Sequence, residues 1–152
     1  FANALKYYQK VEAAQPDNLN IALQIGQCLA RMEKYEEALA YFYKVEYLEK
    51  NPDNARRAIA WCSFLTHKDE DALRYYGMLL EQSSAKPEDW MNAGHVHLVA
   101  NHIQEALHHY RNAQKHFEYH GEFIDAFLKD KDTLLQMGKA EEDIAIVLDL
   151  LI

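Results

Sequence analysis

Ala38-Leu39-Ala40-Tyr41-Phe42-Tyr43-Lys44-Val45 is one of several versions of a single octet in this chain. Ala4–Val11 reads ALKYYQKV, Ala72–Leu79 reads ALRYYGML, Ala106–Ala113 reads ALHHYRNA, and Ala140–Val147 is a weaker AEEDIAIV. The leading alanines, Ala4, Ala38, Ala72, Ala106 and Ala140, each stand 34 residues from the next. Self-similarity at a fixed period of this length marks stacked supersecondary units. Within each octet a small residue, a ring or Ile144 four positions on, and a small or aliphatic residue seven positions on make one apolar helical stripe. The alanine lets a second helix approach closely, and the ring beside it supplies most of the buried area.

Working outward, each unit has room for a second helix ahead of the octet. Gly26, Ala60 and Gly94 precede their alanines by 12 residues. Glycine inside a helix costs about 1 kcal/mol relative to alanine, so its use there predicts close helix packing. Breakers separate the units: Pro16-Asp17-Asn18, Pro52-Asp53-Asn54 and the stretch Ser83 to Pro87. Proline suits the first turn of a helix, where its missing N–H has no partner to lose. Nine helices are predicted, at about 1–14, 19–32, 35–49, 54–66, 70–82, 88–100, 103–118, 121–136 and 140–151. The units run as a half repeat over 1–18, full repeats over 19–52, 53–86 and 87–118, and a degenerate or capping repeat over 119–152. The chain opens half a repeat late, which predicts that it is a piece of a longer protein.

Composition fits this reading. Only five Gly and three Pro favour long helices over a many-stranded sheet. Sixteen Lys and Arg against 24 Asp and Glu give a formal charge of −8, which opposes nucleic-acid binding. No apolar run approaches the roughly 20 residues of a spanning helix, so no membrane insertion is expected. Cys28 and Cys62 are isolated thiols in helical patterns, which points to a reducing compartment such as the cytoplasm.

The frame resembles the tetratricopeptide repeat, a helix–turn–helix unit with W-x2-L-G-x2-Y, then A-x3-F, then P. The copy that carries it best is Trp90-Met91-Asn92-Ala93-Gly94-His95-Val96-His97 with Ala106 and Tyr110. Ile25, Gly26, Tyr35, Ala38 and Phe42 make a second. Near Asp53 the fit is poorer, because Ser63 stands where an aromatic is usual and Trp61 falls two residues late. The resemblance implies an all-α fold, a right-handed superhelical solenoid of stacked antiparallel helix pairs. It also implies a concave groove, lined by the first helix of each unit, that takes a peptide or protein segment. Carried over, the groove residues are Asn20, Leu23, Gln24, Gln27, Arg57, Trp61, Met91, Asn92 and His95. Some members grip a C-terminal carboxylate with Lys, Arg and Asn. Here Arg57 and Asn92 match two such places while Trp61, Glu122 and Ala126 occupy others, so that clamp is not implied.

No chemistry-bearing motif competes. Ser83-Ser84-Ala85-Lys86 matches S-x-x-K alone, in a breaker-rich turn, and no nucleotide-binding or H-E-x-x-H string occurs. Seven of the eight histidines fall between His95 and His120, but only His116 and His120 stand at i, i+4 and no cysteine is near. That spacing argues against a metal site. The expected function is a non-catalytic interaction scaffold, with no cofactor. The alternatives are an accessory or sensor segment of a larger enzyme or regulator, and self-association through exposed terminal helices.

Overall fold

The computed structural model describes all 152 residues, Phe1–Ile152, and every segment predicted as helix is helical. The elements are α1 (Ala2–Ala14), α2 (Leu19–Arg31), α3 (Tyr35–Leu48), α4 (Asp53–Leu65), α5 (Asp69–Leu80), α6 (Pro87–Val99), α7 (Ile103–His116), α8 (His120–Lys129), α9 (Lys131–Gln136) and α10 (Glu141–Leu151). Ends fall within two residues of expectation, with one difference in number. The helix expected over 121–136 is two, α8 and α9, divided at Asp130. The fold is all-α, built from consecutive helices packed in pairs, α2 against α3 and α6 against α7 above all. It divides into two compact units, Phe1–Tyr75 and Tyr76–Ile152.

In the first unit, the alanine ladder and the ring four residues on do what the spacing requires. Ala38 and Phe42 on α3 are buried, and the Phe42 ring lies over Gly26 of α2. A Cβ at Gly26 would sit 2.5 Å from Phe42 Cε1. The second unit repeats the arrangement: a Cβ at Gly94 on α6 would sit 2.6 Å from Tyr110 Cε1 on α7. Ile59 and Ala60 are fully buried on α4, with Trp61 beside them and half-buried. At the ends of the ladder the expectation fails. Ala4 is exposed, and Ala140 lies outside α10 as its extended N-cap residue.

The tyrosines just before the core ring divide in role. Tyr41 Oη donates to Glu12 at 3.3 Å, and Tyr75 Oη donates to Glu46 at 2.8 Å, so the same rung recurs one repeat later. Burial and the Glu46 carboxylate push the Tyr75 hydroxyl up to about 12, which keeps it a donor. Tyr7, at the same place in the first octet, is exposed, with its ring edge-on to Tyr8.

The turns inside the helix pairs share one construction. Glu33, His67, Asn101 and Gly138 all have positive φ, at 61°, 62°, 65° and 103°. The residue after each returns an N–H to the carbonyl five back: Lys34 to Leu29, Lys68 to Ser63, His102 to His97 and Lys139 to Leu134. This is the Schellman closure, which draws the side chains of those two positions together. Cys28 and Cys62 are free and buried, and burial pushes the Cys62 thiol up to about 11.

The glycines give a test in which one substitution changes sign with place. Gly26→Ala and Gly94→Ala gain helix propensity but force a methyl into a ring, and a net loss of about 1–2 kcal/mol is expected. Gly77→Ala, with nothing within 4 Å of its added Cβ, should gain up to about 1 kcal/mol. Urea midpoints that move in the same direction for all three would reject the ring-over-glycine account.

Candidate partner-binding site

On α2, Asn20, Leu23, Gln24 and Gln27 recur at three- and four-residue spacing and so share one face of the helix. Asn20 is exposed and the other three are half-buried. The helix starts cleanly there because Asn18 Oδ1 accepts the Ile21 N–H at 3.2 Å. On α4, which touches α2, Arg57 and Trp61 stand one turn apart and both are half-buried. Arg57 Nη1 donates to Asn54 Oδ1 at 3.3 Å. The Trp61 ring leans on buried Phe64, with centroids 5.3 Å apart.

Between the starts of these helices lies a cleft of about 210 Å³ lined by Leu19, Asn20, Leu23, Val45, Glu49, Asn51, Pro52, Asn54 and Ala55. Its apolar floor is Leu19, Leu23, Val45 and Ala55, and its polar groups are three amides and one carboxylate. An amide both donates and accepts, so such a lining can satisfy either edge of an extended backbone. Sequence reasoning named Asn20 and Leu23 but missed Asn51 and Asn54. These come from the breaker segment and the first turn of α4 rather than from a repeated helix position.

In the second unit the expected residues do not share one surface. Asn92 on α6 is half-buried, but Met91 is 2% exposed and His95 is 0% exposed. Both are core side chains here, so neither is available to a partner. His95 turns inward because α8 gives it partners. Asp130, at the α8–α9 division, has a carboxylate that only accepts, so His95 Nε2–H donates to its Oδ2 at 3.0 Å. That leaves the Nδ1 lone pair to accept from Tyr110 Oη at 2.8 Å. Burial, and then the Asp130 charge, raise the Tyr110 hydroxyl well above its usual range, which holds it protonated as that donor. The rings of Tyr110 and Phe127 flank the imidazole edge-on at 5.5 and 5.2 Å.

No group of three or more His, Cys, Asp or Glu converges on a point that would hold a metal ion. No helix is long and apolar enough to cross a membrane.

With this geometry in place, a likeness among solved structures is informative. The fold resembles that of MamA. The alignment with the crystal structure of MamA has a TM-score of 0.66 and covers 95% of this chain and 86% of that one. Sequence identity is 13%, so the likeness speaks for the helix-pair fold alone. No protein-family model matches the chain, and neither does any curated protein.

The buried His95 network is open to measurement. Asp130→Ala leaves a buried N–H without an acceptor, and a loss of about 1–3 kcal/mol is expected in urea unfolding. Asp125→Ala, on the exposed side of α8, should change stability by no more than about 0.5 kcal/mol. Equal effects would show that the His95–Asp130 bond carries no special weight.

Proposed function

We propose that the chain is a non-catalytic interaction scaffold that binds a peptide or extended protein segment on the α2–α4 face of its first unit. The observation that carries this reading is the amide-lined cleft beside Leu23, with Arg57 reaching its wall through Asn54. Trp61, one turn beyond Arg57, offers a large ring already held on one side by Phe64. A half-buried aromatic that loses little freedom on binding is the kind of residue that dominates interface energies. The amides around it add orientation, since a backbone N–H or C=O left unmet in the cleft is penalised. The helix-pair fold shared with MamA suits a partner-binding role, and the formal charge of −8 disfavours a nucleic-acid partner.

Self-association is a second reading, favoured by one specific feature of the second unit. Ile146 and Leu150 of α10 are more than half exposed and line a groove of about 300 Å³ with Ile103, Val147 and Leu98. Apolar side chains grouped at the end of a repeat array invite end-to-end contact. Light scattering that gives the monomer mass up to high concentration would remove this reading.

For the favoured reading, ligands selected from a displayed peptide library give the test. Trp61→Ala should weaken binding by about 2 kcal/mol and Arg57→Ala by about 1 kcal/mol, as hot-spot truncations do. Circular dichroism should show nearly unchanged helicity in both. Unchanged affinity in both variants would reject the α2–α4 face as the binding site.

A further inference from the structure

His97 and His102 stand five residues apart, a spacing that puts them on different faces of any continuous helix. The turn between α6 and α7 overrides that spacing. Asn101 takes the left-handed conformation, His102 N–H closes onto the His97 carbonyl at 2.8 Å, and the two side chains meet. Their Nδ1 atoms are 3.4 Å apart. In the other three turns the same two positions hold Leu29 and Lys34, Ser63 and Lys68, and Leu134 and Lys139. Only this turn places two imidazoles there.

The separation has a chemical meaning. Two nitrogens each about 2.0–2.1 Å from a tetrahedral ion stand about 3.3–3.4 Å apart, whereas adjacent ligands of an octahedral or square-planar ion stand about 2.9 Å apart. As a hydrogen bond, 3.4 Å between two ring nitrogens is long and weak. We propose that His97 and His102 form the protein half of a four-coordinate site for a zinc-class ion, with water in the remaining positions. No third imidazole, thiol or carboxylate completes the set, so the site is open and solvent-facing.

The surroundings hold the pair ready. His109 Nδ1 is committed to the Glu105 carbonyl at 2.8 Å, which fixes its ring against that of His97, with centroids 4.9 Å apart. Lys139 also reaches this turn, donating to Asn101 Oδ1 at 2.6 Å. Its charge opposes a bound cation and holds affinity below that of a closed four-ligand site.

The test is isothermal titration of the full chain with zinc chloride in a non-coordinating buffer at neutral pH. Cobalt(II) absorption serves as a geometry probe. One ion per chain is expected, with the intense visible bands of tetrahedral cobalt(II) and no response to magnesium. Loss of an outer-shell partner alone costs about 10–100-fold in affinity, so H97Q and H102A should each weaken binding by at least about 10-fold. His102 is exposed, so H102A keeps the fold while removing a ligand. H120A should bind as the parent does. Absence of saturable binding, unchanged affinity in both H97Q and H102A, or loss confined to H120A would overturn the proposal.

Discussion

The constraint on which this structure depends is a ring lying where a side chain cannot be. Phe42 occupies the space that any Cβ on Gly26 would need, and Tyr110 does the same at Gly94. In these two pairs one helix offers bare backbone and the other a flat aromatic at the matching height. Closing them buries Ala38 and Ala106 on one side and Ile25 and Val96 on the other. It also sets the distance that the turn must span, and four different turn sequences reach it with the same Schellman hydrogen bonds. Glu33 and His67 accept a left-handed backbone that favours glycine or asparagine, which shows that pair closure outweighs local preference there.

Most of the fold was legible because it repeats. A stripe that occurs once can be chance, but the stripe at Ala38, Phe42 and Val45 returns at Ala72, Tyr76 and Leu79 and again at Ala106, Tyr110 and Ala113. What the period could not foretell lies where it breaks. The division between α8 and α9 occurs at Asp130, which accepts the hydrogen bond from His95 Nε2. Their meeting joins residues 35 apart in the sequence. The surplus of histidine between His95 and His120 was visible as composition. Its sorting into one buried ring, one pair across a turn and several exposed rings was not.

The candidate site shows the same limit in another form. Asn20, Leu23, Gln24 and Gln27, carried over from the repeat resemblance, share one face of α2, and residues on one face of one helix need no tertiary information. Assigning Met91 and His95 to an open surface required knowing what lies opposite α6, and that is a property of the fold. Phe123 and Phe127 of α8 are fully buried in the same unit, in a stretch where the 34-residue pattern weakens. A repeat that keeps the frame while changing its contents turns an expected binding position into core.

The rungs Tyr41–Glu12 and Tyr75–Glu46 are chemically identical, and that sameness carries a hazard. A helix pair slipped by one whole repeat, or exchanged with the matching pair of a second molecule, would satisfy the rung equally well. Repeat proteins are prone to such misassembly because their joints are interchangeable. Discrimination must therefore come from features that occur once, such as Arg56 meeting Glu46 at 3.2 Å. Irregularity in this chain, which weakens its match to an ideal repeat, is also what tells one joint from the next.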